Sequence, residues 1–103
     1  MTTLVEESRS DHDKIMSRAL DQWGFEGQIT KTFEECSELK KALRRYKRGE
    51  AKDKEVITEV ADVMIMASQL AYYFGDKKVK KEISKKLRRV ERRLDKTPDS
   101  TFT

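Results

Sequence analysis

Apolar side chains recur along this chain every three or four residues, the repeat that lines one face of a helix. Four stretches carry it. Residues 11–23 place Ile15, Ala19 and Leu20 on one side, with Ser10 or Asp11 as the N-cap and Trp23-Gly24 as the stop. Residues 26–47 carry Ile29, Phe33, Cys36, Leu39, Leu43 and Tyr46. The polar stretch KRGEAKDK follows, with Gly49 just past the helix end. Residues 53–74 are apolar nearly all round and stop at Gly75. Asp76 caps a last helix in which Val79, Ile83, Leu87, Val90 and Leu94 form one narrow stripe. The pattern predicts an all-α protein, a four-helix antiparallel bundle made of one domain over residues 11–95. A flexible arm is expected at 1–10 and a disordered tail at 96–103. A lone bundle would leave part of the third helix wet, so at least a dimer is expected.

Composition narrows the classes. A chain of 103 residues suits one domain with a modest core. Charged residues make up 41% and hydrophobic ones 36%, with one Pro and four Gly, which reads as helical and highly soluble. The longest uncharged run, residues 63–75, is too short to cross a bilayer. The opening MTTLVEESRSDHDK has acidic residues and no apolar core of a signal peptide, so a cytoplasmic protein with no membrane partner is expected. A single cysteine cannot form an internal disulfide. With no second histidine or cysteine, neither a zinc site nor a Cys/His nucleophile is expected. On the apolar stripe, Cys36 reads as a buried small hydrophobe. His12 reads as a surface residue without a role, and Trp23 as a core anchor at a helix end.

The chemistry lies in four carboxylates. Glu35 and Glu38 are three apart in TFEECSELKKAL, and Glu59 and Asp62 are three apart in EVITEVADVMIMASQL. Residues at i and i+3 project from one face of a helix, so each pair forms a two-carboxylate claw. Val56, Val60, Val63, Ile65, Met66 and Leu70 surround the second claw. A carboxylate on an apolar face is expensive to bury unless something compensates its charge. Two facing claws offer up to four hard oxygen ligands, the set that suits Mg²⁺, with Mn²⁺ as a substitute. Mg²⁺ in turn favours phosphates.

Charge adds a second half to the site. The formal net charge is +4, but residues 76–95 hold ten Lys/Arg against four Asp/Glu, leaving the rest of the chain slightly acidic. Helical rotation puts Gln28, Lys31, Glu35, Glu38 and Ala42 along one strip of the second predicted helix. Glu59, Asp62, Met66, Gln69 and Tyr73 share a strip of the third, and Glu82, Lys86, Arg89 and Arg93 one of the fourth. Metal, ammonium and guanidinium together would clamp a polyphosphate.

The pattern Glu34-Glu35-x-x-Glu38, a gap of twenty residues, then Glu59-x-x-Asp62 resembles the MazG-like nucleoside triphosphate pyrophosphohydrolases of the all-α NTP pyrophosphatase superfamily. The approach QWGFEGQITKTFEECSELKKAL and the ending KKLRRVERRL are similar to the flanks of short, phage- or mobile-element-type members, so the likeness spans residues 21–94. The resemblance implies a helical bundle assembling as a dimer or tetramer. It also implies hydrolysis of a (d)NTP substrate to the monophosphate and pyrophosphate with Mg²⁺. By carry-over, Glu35, Glu38, Glu59 and Asp62 are the metal ligands and catalytic groups. Lys86, Arg89 and Arg93 match basic positions that hold phosphates, while Trp23 and Gln28, with Lys31 nearby, match the part near the base. The alternative is a small dimeric helical protein that binds nucleic acid through its basic fourth helix. That reading leaves Glu59 and Asp62 unexplained, and acidic claws would repel DNA. A catalytically silent assembly partner is a further alternative, against which the intact carboxylate set argues.

Overall fold

The computed structural model describes residues 9–96, and their regular structure is helical throughout: α1 (Arg9–Lys47), α2 (Asp53–Phe74) and α3 (Asp76–Lys96). The expected arm and tail fall mostly outside the described residues; where they overlap, Arg9, Ser10 and Lys96 are helical. The elements number three rather than four. The expected stop at Trp23-Gly24 is a kink inside α1, where Gly24 has φ 75° and ψ 159°. That setting is open essentially only to glycine. Glycine therefore redirects the helix here without ending it.

The end of α1 follows its sequence closely. Gly49 takes φ 76°, its N–H donates to the Tyr46 carbonyl at 2.9 Å, and the Glu50 N–H donates to the Arg45 carbonyl at 2.8 Å. These are the two bonds of a Schellman cap, which satisfies carbonyls the helix end would otherwise orphan. Arg45 then ties the turn to α2. Its guanidinium donates to the Glu50 carbonyl at 2.8 Å and to the Glu55 carboxylate at 2.9 Å. Tyr46 hydrogen-bonds Asp53 across the same turn, which raises its phenol above the usual range. The five-residue connection thus sends α2 back along the second arm of α1.

One compact unit ends at Tyr72 and a second begins at Tyr73. In the first, the buried apolar side chains are Met16, Ala42 and Met66, joined by Gln28 and Gln69. This corrects the expected facing of α1. The strip with Gln28, Glu35 and Ala42 turns inward, whereas Phe33 is 67% exposed and Leu43 and Cys36 are exposed too. Cys36 is therefore not a buried small hydrophobe. The reason is that α2 docks on the mixed strip rather than on the more apolar one. On α2, Met66 and Gln69 are buried and Glu59 and Asp62 half-buried, while Ile57, Val60 and Met64 are exposed.

The second unit is built on α3, a strongly amphipathic helix with no fully buried residue. Val79 and Val90 are half-buried, and Ile83, Leu87 and Leu94 are exposed. Among the described residues, no helix is long and apolar enough to cross a membrane.

Candidate metal centre and adjoining groove

The turn after α1 sets Glu35 opposite the claw of α2. Carboxylate oxygens of Glu35, Glu59 and Asp62 all lie within 4.8 Å of one another, and all three residues are half-buried. Such crowding of like charge is unfavourable without a cation. Glu59 registers it: partial burial, then the charges of Asp62, Glu38 and Glu35, hold its carboxyl above the ordinary glutamate range. Nearby compensation is thin. Lys31 Nζ stands 3.8 Å from Glu35 and 3.8 Å from Glu34, too far for hydrogen bonds. Glu38 is exposed and lies outside the close group, although its charge reaches Glu59.

The donor set fits a hard divalent cation. Mg²⁺ binds oxygens at about 2.0–2.1 Å, so ligands on opposite sides of it stand about 4.2 Å apart. The three carboxylate oxygens, all within 4.8 Å of one another, are spaced close to that span. All the donors are carboxylate oxygens, the ligand type that hard cations take in preference to softer metals.

Beside the carboxylates opens a groove of about 860 Å³. The first arm of α1 contributes His12, Met16 and Trp23, the second arm Gln28 and Lys31, and α2 Ile65, Met66 and Gln69. The kink at Gly24 creates it, because the two arms of one helix become two of its walls. Met66 follows Asp62 by one helical turn, and Lys31 both lines the groove and approaches Glu35, so groove and carboxylates adjoin. The lining is mostly apolar with a few polar groups, the usual make-up of a small-molecule site.

The first unit therefore brings together Glu35, Glu59 and Asp62, and beside them Trp23, Gln28 and Lys31. Trp23 is 63% exposed on the groove and is not a core anchor. His12 is half-buried and lines the groove. Met16 also belongs to the wall, and its only sequence signal was the neighbouring apolar Ile15 and Ala19. Lys86, Arg89 and Arg93 are exposed on α3, in the second unit. There the Glu82 carboxyl is held below its ordinary range, chiefly by a 3.0 Å pair with Lys85 and further by the charges of Lys86 and Arg89. No protein-family model, curated protein or solved structure matches this chain.

Proposed function

We propose that this protein hydrolyses (deoxy)nucleoside triphosphates to the monophosphate and pyrophosphate, with Mg²⁺ or, in its place, Mn²⁺. The observation that carries this reading is the juxtaposition of three mutually close carboxylates with an apolar groove large enough for a nucleoside. The motif resemblance supports it. The kink at Gly24 fits as well, since it divides α1 into two arms and yields the four helical segments of a MazG-like domain. A homo-oligomer, dimer or tetramer, belongs to the same reading.

Glu35, Glu59 and Asp62 would hold the cation, with Glu38 within electrostatic reach. Bound there, the cation would neutralise phosphate charge and acidify a water, whose oxygen bonds to the α or the β phosphorus as that atom's bond to the α–β bridging oxygen breaks. Glu38, exposed and within electrostatic reach of Glu59, would accept the proton that water gives up. Trp23 offers an aromatic face to the base, Gln28 a polar contact, and Lys31 an ammonium between base and phosphates. Lys86, Arg89 and Arg93 of α3 are the phosphate-holding groups that the motif resemblance implies.

A charge scan of residues 77–93 tests it against the nucleic-acid reading, with pyrophosphate release and duplex binding measured side by side. Each charge-assisted bond contributes about 1.5–3 kcal/mol, so Arg89→Ala or Arg93→Ala should lower kcat/KM roughly ten- to a hundredfold. Changing Lys78, Lys81 or Lys85 should do little. Uniform, steeply salt-dependent loss of duplex binding, with no hydrolysis by any variant or by the wild type, would overturn the enzymatic reading.

A further inference from the structure

The groove holds two carboxamides that the scheme above leaves largely unused. Gln69 is the most buried polar residue of the described chain, at 4% exposure, and Gln28 follows at 6%. Burying an amide without partners is costly, so each needs an explanation.

Gln69 is half satisfied. Its Nε2 donates to the Met16 carbonyl at 3.4 Å. A carbonyl can only accept, so chemistry alone dictates which end of the amide faces Met16. The Oε1 of Gln69 has no hydrogen-bond partner among the described residues. No sealed polar side-chain atom lacks a partner there, so Oε1 opens onto the groove that Gln69 lines. Gln28 makes no side-chain hydrogen bond among the described residues and, by the same reasoning, opens onto the groove. Nothing fixes its orientation, so it can turn either its oxygen or its NH₂ toward a ligand.

We propose that Gln69 is a specificity-determining residue: held by the Met16 carbonyl, it presents Oε1 as a fixed acceptor to an amino group on the base of the substrate. This rests on the nucleotide reading of the groove and names which edge of the base is read. Cytosine and adenine each carry an amino donor beside a ring nitrogen acceptor. Gln69 takes the donor, and Gln28 turns its NH₂ to the ring nitrogen. Trp23 and Met66 supply apolar surface for the ring. A site built to pair with an N–H group rejects an analogue lacking it, because its own buried polar atom is then left unpaired. The arrangement also makes the first arm of α1 part of the reading device. Met16 lies before the Gly24 kink and Gln28 after it, so the arm's position sets the orientation of Gln69.

The test uses nucleosides in place of triphosphates, without metal, so that hydrolysis plays no part. Cytidine is compared with pyrimidin-2-one riboside, and adenosine with purine riboside; in each pair the second compound lacks only the amino group. Binding is followed by ¹H–¹⁵N NMR at the indole N–H of Trp23, the single tryptophan, and at the Gln69 side-chain amide. The amino-bearing member of at least one pair should bind about tenfold tighter or more, and Gln69→Met should shrink the difference to about twofold or less. Equal binding within both pairs, no binding of any nucleoside, or discrimination that survives in Gln69→Met would overturn the proposal. Should Gln69→Met not fold, the two analogue pairs decide it in the wild type. A protein that discriminates the nucleosides yet releases no pyrophosphate would refute the hydrolase reading and leave this one standing.

Discussion

Glu59 is where the account meets its sharpest test at the scale of a residue. Its carboxyl is raised above the ordinary glutamate range in the folded chain, first by partial burial and then by Asp62, Glu38 and Glu35. The folded state therefore binds the proton more tightly than the unfolded state does. The stability this contributes is present at and below the ordinary carboxyl range and is lost as pH rises through the raised value. The metal-free protein should accordingly melt at lower temperature as pH climbs through that window, and Glu59→Gln should flatten the dependence. Millimolar Mg²⁺ at neutral pH should raise the wild-type melting temperature by linkage and leave Glu59→Gln nearly unmoved. An unchanged wild-type melt would remove the metal from the account. The three carboxylates were legible in the sequence because i, i+3 spacing on apolar-flanked helices is a local signal. What spacing could not decide was that Glu35 rather than Glu38 would face Glu59 closely. Both lie on one strip, and the docking of α2 chooses between them. Gln69 was legible as a neighbour of the claw, but its bond to Met16 spans 53 positions and depends on the kink angle.

At the scale of elements, the boundaries of α2, its stop at Gly75 and the Gly49 turn were all readable, because caps and breakers act locally. The facing of α1 was not. Its most apolar stripe points outward at Phe33, Cys36 and Leu43, since a hydrophobic pattern says that a face will be covered but not by what. Gly24 inside α1 and Gly49 just past its end should respond differently to substitution. A Cβ added at Gly49 or at Gly24 would meet no atom within 4 Å, so any loss is backbone strain alone. Gly49 occupies a left-handed cap position, where alanine costs about 1–2 kcal/mol. Gly24 combines φ 75° with ψ 159°, a region that costs other residues up to about 3 kcal/mol. Gly24→Ala should therefore lower the melting temperature more than Gly49→Ala. It should also shift the Trp23 indole resonance, because the arm carrying the groove wall must move. Equal losses with an unmoved Trp23 signal would show that the kink does not set the groove.

For the whole molecule, exposed apolar surface is the dominant fact. Phe33, Ile57 and Phe74 are each more than half exposed, and α3 leaves its apolar stripe largely uncovered. The stripe along α3, recurring every three or four residues on one helix face, is the kind of apolar surface that marks an association face. Sedimentation at micromolar concentration should give a dimer or tetramer, and Ile57→Glu should shift it toward monomer; a monomeric wild type would contradict that expectation. Charge is uneven as well, with a slight acidic excess in the first unit and the basic excess carried by α3. What that division is for can be read in one measurement. A mixture of dNTPs is incubated with the wild-type protein and Mg²⁺ and followed by ³¹P NMR. The account predicts that triphosphate resonances give way to those of monophosphate and pyrophosphate, and that Glu59→Gln leaves them unchanged. Persistence of the triphosphates with wild-type protein, or their conversion to diphosphate and inorganic phosphate, would contradict it.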